Sequence, residues 1–197
     1  MNGKQFTDQL DQLGYFSYTP QDTLDEAKRS LARCFDEGNV FMVGTSHEPP
    51  FLSFDGRFYN CGDGEGLYEA GGVPDMLEEM RPVFEKAGFK LDYSNDEYTQ
   101  TGHTIIVNSK AYVMAAGSIL MWGETFLKYA EMINEELKLQ GIDEQLYLLD
   151  YDDSSYMVFL TEEQGDFLRE TLPDGSRPLK TAEWMRRTIQ KMNDLMN

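Results

Sequence analysis

The chain reads as an α+β fold, an antiparallel sheet built from hairpins with helices packed on one face and at the ends, and three observations point to it. Residues 104–107 (Thr-Ile-Ile-Val) and 111–114 (Ala-Tyr-Val-Met) are two β-rich runs joined through the polar Asn108-Ser109-Lys110, a hairpin pattern. From Met121 to Gln140 the apolar residues fall at Trp122, Phe126, Tyr129, Ala130, Ile133 and Leu137, the spacing of one helical face, and Gly141 supplies the stop. A second pair of strand-like runs follows, 145–149 and 156–160, across the polar stretch 150–155. Hairpin, helix, hairpin is the expected spine of one sheet of roughly five to seven strands. We expect one domain over residues 1–197: helices in 1–40, the sheet-forming core in 41–161 and helices in 162–197.

The remaining elements follow in order. Lys4 to Leu13 places Phe6, Leu10 and Leu13 on one helical side before Gly14. Thr19-Pro20 predicts a second helix with Thr19 as N-cap, Pro20 at its first position and Asp22 and Asp25 near its positive end. Its stripe is Leu24, Ala27, Leu31, Cys34 and Phe35, and Gly38 ends it. Phe41 to Gly44 reads as a short strand cut off by Pro49-Pro50, and 51–59 as two short strands about the Asp55-Gly56 turn. Cys61 to Gly66 reads as a Gly-rich loop. It leads to a helix with Pro74, Asp75, Glu78 and Glu79 in its first turn, Leu77, Met80, Val83, Phe84 and Ala87 inward, a kink at Pro82 and a cap at Gly88. Phe89, Leu91 and Tyr93 alternate with Lys90 and Asp92 as a half-buried strand. Thr161-Glu162-Glu163 starts a helix to about residue 170, 173–176 is a turn, and a last helix over 181–195 docks through Trp184.

Composition excludes several function classes. Seventeen Lys and Arg against 35 Asp and Glu give a formal charge of -18, which repels nucleic-acid phosphates and anionic membranes and favours a basic protein or a cation as partner. Two cysteines, no charged-then-apolar leader and no long apolar span predict a cytoplasmic protein without disulfides or transmembrane helix.

The chemistry-bearing residues form no spacing that names a reaction. Cys61 as nucleophile, His103 as base and Asn108 or Asp92 as orienter reproduce the order of a papain-like thiol hydrolase. The carboxylates of Asp63 and Glu65 would raise the thiol pKa where catalysis needs it lowered. His47 and His103 have no close Cys or His, and the acidic runs lack the ligand order of a calcium loop, so neither a metal nor a cofactor is expected. Trp122 reads as core, although a small-ligand pocket beside it is a third possibility.

Residues 111–113 (Ala-Tyr-Val), 122–126 (Trp-Gly-Glu-Thr-Phe), 133–137 (Ile-Asn-Glu-Glu-Leu), 146–153 (Leu-Tyr-Leu-Leu-Asp-Tyr-Asp-Asp) and 158–164 (Val-Phe-Leu-Thr-Glu-Glu-Gln) carry a diffuse resemblance to another group of proteins. With 64–72 (Gly-Glu-Gly-Leu-Tyr-Glu-Ala-Gly-Gly), the stretch from Asp55 to Gln164 resembles immunity proteins encoded beside bacterial polymorphic toxins. Where that group often has Asn-Asp in the second hairpin turn, this chain has Asp152-Asp153. The resemblance implies a non-enzymatic inhibitor that masks a toxin's active site by surface complementarity. The contact residues it implies, on loops held by hairpins, are Asp63, Glu65, Asp150, Tyr151, Asp152 and Asp153.

Overall fold

A computed structural model describes residues 1–38, 56–62, 64–99, 102–120, 122–151 and 154–196. The expected strands over 41–44 and 51–54, the Asp55 half of the Asp-Gly turn and His47 lie outside the described residues.

The class is α+β, and its six described strands divide into two antiparallel sheets of three instead of joining in one. The first sheet has the order β1-β6-β5, from β1 (Phe58–Asn60), β5 (Glu144–Tyr151) and β6 (Ser154–Thr161). It is covered on both faces. Leu146, Leu148, Met157 and Phe159 pack into one hydrophobic core, and Tyr147, Leu149, Val158 and Leu160 into another. The first core is filled from α4 (Gly72–Ala87) and α5 (Trp122–Leu139). The second is filled from α1 (Gly3–Gln12), α2 (Leu24–Glu37) and α6 (Glu162–Thr171).

The second sheet has the order β2-β3-β4, from β2 (Tyr93–Thr99), β3 (Gly102–Val107) and β4 (Lys110–Ala115). Val107 pairs with Lys110 across a two-residue loop in which Asn108 and Ser109 both take positive φ, 47° and 71°. That is the turn whose twist matches paired strands, made here with Asn-Ser in place of Asn-Gly. His103, Ile105 and Val107 point into the first core, while Thr104 and Ile106 point outward and are half-buried. A short helix α3 (Glu65–Tyr68) packs against both α4 and α5, and α7 (Thr181–Met196) packs against α5 and β5.

Several expectations need correction. The second helix starts at Leu24 and not at Pro20: Thr19, extended as a residue before proline should be, donates its N–H to Phe16. Residues 20–23 then close a turn in which Thr23 donates both its N–H and its hydroxyl to the Pro20 carbonyl, so Asp25 and Glu26 occupy the first turn and Asp22 precedes it. Glu78 and Glu79 fall in the second turn of α4, which continues as one helix through Pro82. Residues 89–92 alternate in burial but form no ladder. Gln140 bonds both the N–H and the carbonyl of Lys90, and Asn108 takes both backbone groups of Asp92, so those polar atoms are already satisfied. Trp122, read as core, is 42 % exposed. The acid-rich stretch 150–155 is mostly strand: Asp150 and Tyr151 complete β5, and Ser154 and Ser155 begin β6.

Candidate functional site

The β1-β6 ladder continues one step beyond β1. Cys61 donates its N–H to the Ser155 carbonyl at 2.9 Å, and Ser155 donates to the Gly62 carbonyl at 2.6 Å. Ser155 in turn faces Asp150 across the β5-β6 register. Gly62, Ser155 and Asp150 therefore form one row at the end of the central sheet. Gly64, with φ +86°, turns the chain into α3, and a Cβ on it would lie 3.8 Å from the Trp122 carbonyl. The fold thus brings Gly64 and Glu65 to the end of the central sheet where Asp150 lies, beside the start of α5.

Individual residues fare differently at that end. Glu65 is exposed and opens α3, so it belongs to a helix and not to the expected loop. Asp150 is already engaged: its carboxylate accepts from Trp184 Nε1 at 2.8 Å and meets Lys191 Nζ at 3.4 Å, which fastens α7 to β5. Tyr151 is the last residue of β5. Asp63, Asp152 and Asp153 lie outside the described residues.

The thiol site lacks the features of an activated nucleophile. Cys61 lines a cleft of about 380 Å³ with Gly62, Gly66, Gly72, Asp75 and Glu79. Its thiol is pushed well above the ordinary range, first by burial and then by the Glu79 charge, against one backbone N–H from Met157. His103 is fully buried, and its Nε2 meets Asp96 at 2.5 Å. Its Nδ1 is buried without a hydrogen-bond partner among the described residues. Neither expected orienter serves it. Asn108 donates to Glu136 at 2.8 Å, and Asp92 is bonded through its backbone to Asn108. Among the described residues no group of three His, Cys, Asp or Glu is placed to hold a metal ion.

Charge is distributed unevenly in its use. Among the described residues, at least ten of the seventeen Lys and Arg side chains form ion pairs with carboxylates of the same chain. Arg57, buried at 1 % exposure, is held by the carbonyls of Tyr15 and Phe159 and by the Ser17 hydroxyl, and lies 4.2 Å from the Tyr18 ring centroid. Pairing within the chain leaves the net charge at -18, and that excess of carboxylates is what a partner meets.

Comparison of the chain with protein families, with curated proteins and with solved structures returned no match. No helix among the described residues is long and apolar enough to cross a membrane.

Two features of the site were missed in the sequence reading. One is the outward placement of Trp122. The helical period assigns it to the buried stripe, yet as the first residue of α5 it lies beyond the body that the stripe covers. The signal available was Gly117-Ser118 just upstream, which marks a loop that brings the helix in from the surface. The other is Arg57, whose burial leaves no mark in a local pattern.

Proposed function

We propose that this protein is a non-enzymatic, cytoplasmic binding protein that masks a basic surface of a protein partner. Following the resemblance to immunity proteins of polymorphic toxin systems, we take that partner to be a cognate toxin and the masked surface its active site. The observation that carries the reading is the charge: -18 overall, with most cations already bound to groups of this chain. A surface of that sign accelerates encounter with a basic partner and discriminates against acidic ones. Glu65 is an exposed member of the contact residues that the resemblance implies, whereas the Asp150 carboxylate, held by Trp184 and Lys191, serves to fasten α7 beside them.

The test is copurification with the product of the gene directly upstream, at low and at moderate salt, together with an assay of that product's toxicity. A stoichiometric complex that weakens with salt and abolishes toxicity is expected. Absence of both binding and protection overturns the reading. So does rapid labelling of Cys61 in the folded protein by a thiol reagent at neutral pH, because burial and the Glu79 charge disfavour its thiolate.

A further inference from the structure

Residues 116–120, between β4 and α5, are hydrogen-bonded in a way that leaves large apolar side chains in water. Glu124, 8 % exposed and in the first turn of α5, accepts through one carboxylate oxygen from the N–H groups of Ala116 at 3.1 Å and Ser118 at 3.0 Å. Ser118 Oγ accepts from Leu120 N–H at 3.2 Å, and Gly123 donates to the Leu120 carbonyl at 3.0 Å. Leu120 packs against the first core. The start of α5 is seated from two further sides: a Cβ on Gly123 would be 3.2 Å from the Trp184 ring, and Gly64 lies under the Trp122 carbonyl.

With the backbone fixed this way, Ile119 remains 59 % and Trp122 42 % exposed. Tyr98, 40 % exposed, belongs to the same end: it pairs with His103, whose other neighbour across the sheet is Ala115, next to the pinned loop. The Tyr98 ring also meets Tyr68 of α3 edge-on at 5.9 Å. The Trp122 backbone and the Tyr98 ring therefore both flank α3, whose Glu65 and neighbouring Glu69 are exposed, and Ile119 lies three residues before Trp122.

Single exposed apolar residues are ordinary on a protein surface, but a hydrogen-bonded turn that displays two of them three residues apart is a preorganised anchor. Trp and Tyr in such positions are the residues that carry most binding energy. Charge decides between occupants. Two copies of a chain at -18 repel each other, whereas a partner with a basic rim is attracted to the carboxylates of α3. We infer that Trp122 and Ile119, with Tyr98 at the rim, are the anchor by which this chain docks into an apolar pocket on a basic partner protein. The inference rests on the binding-protein reading above, though not on the partner being a toxin.

Photo-crosslinking on the full chain in its native cells tests it. The photoreactive residue p-benzoylphenylalanine is placed at position 119, at position 122, or at position 139 as a control. Leu139 is 68 % exposed and, at 1.5 Å of rise per residue, about 25 Å from Trp122 along α5. Expected is a crosslink to one basic protein from 119 and 122 but not from 139. The purified partner should bind Trp122→Ala about 30-fold more weakly, and Ile119→Ser also more weakly, with Leu139→Ala within about threefold of wild type. No crosslink from 119 or 122, equal crosslinking from 139, or capture of a second copy or of an acidic protein overturns it. A basic partner that is not a toxin would overturn the immunity reading and leave the anchor standing. A toxin bound through another face would do the reverse.

Discussion

The two sheets have the same number of strands and the same antiparallel pairing, yet they are put to different use. In the central sheet every residue from 156 to 160 is buried, because one core lies on each face. In the β2-β3-β4 sheet burial alternates along β3, and Val113 of β4 remains 55 % exposed. The contrast shows where the chain can change its surface without changing its fold. It also locates the displayed residues, since the pinned loop carrying Ile119 leads out of the half-open sheet, while the central sheet holds the body together.

The largest test of this contrast is Phe159→Ala. Phe159 is fully buried in the middle strand of the central sheet, with its ring 6.0 Å from that of Phe84 and 6.3 Å from that of Tyr18. Truncation should lower stability by about 3–5 kcal/mol, read from urea unfolding midpoints. Val113→Thr on the half-open sheet should shift stability by less than about 0.5 kcal/mol. Similar losses for the two would mean that the outer face of the second sheet is as occupied as the central one.

Arg57→Met comes next. The guanidinium joins the 3-10 turn at Tyr15–Tyr18 to β6 by donating to the carbonyls of Tyr15 at 2.6 Å and Phe159 at 2.8 Å. Methionine preserves much of the volume but leaves those carbonyls without their donor, at a cost of about 3 kcal/mol in the same measurement. A neutral result would show that water replaces the guanidinium and that this edge of the central sheet is not closed.

What could be read in the sequence follows the same division. The β3-β4 hairpin was legible because two runs rich in β-formers flank a short polar turn at Asn108-Ser109. The continuous apolar runs of β5 and β6 were legible as strands, but their ends were not. At the edge of a sheet, polar residues such as Asp150, Tyr151, Ser154 and Ser155 carry ladder bonds while having the composition of a turn. β2, Tyr-Ser-Asn-Asp-Glu-Tyr-Thr, has no apolar period because it is an edge strand with a register shift between Ser94 and Glu97. The site was legible only as residue types. That Gly62, Ser155 and Asp150 share a row depends on cross-strand register between segments about ninety residues apart, which no local pattern encodes.

A smaller effect, of about 1–3 kcal/mol, is expected for Gly72→Ala, where α3 and α4 meet backbone to backbone. A Cβ at Gly72 would stand 1.8 Å from the Gly66 carbonyl oxygen, so α3 must move away from α4. Because α3 also lies beside Trp122 and Tyr98, the substitution should weaken partner binding as well as stability. Exposed Glu69→Gln should change binding and its salt dependence but not the urea midpoint. Loss of stability in Gly72→Ala without any loss of binding would separate α3 from the anchor.

The smallest effect sharpens the comparison at a place where a helix of the first core ties down the free edge of the half-open sheet. Glu78 of α4 accepts from Arg81 at 2.6 Å and 2.7 Å and from the Tyr93 hydroxyl of β2 at 2.8 Å. The Arg81 hydrogen bonds first, and then that of Tyr93, lower its pKa to about 2 from an ordinary 4.5. The folded state therefore holds this proton more weakly than the unfolded chain. The resulting stabilisation is fully present above pH 4.5 and is lost as the pH falls toward 2. Glu78→Gln should melt at a slightly lower temperature than wild type at pH 7, and the difference should close as both are titrated toward pH 2. Because Glu78 is half-exposed, solvent screens the interaction and the gap should also shrink with added salt. A gap that stays constant with pH would mean that the carboxylate does not hold β2 to α4, and that the edge strand is fixed by its ladder to β3 alone.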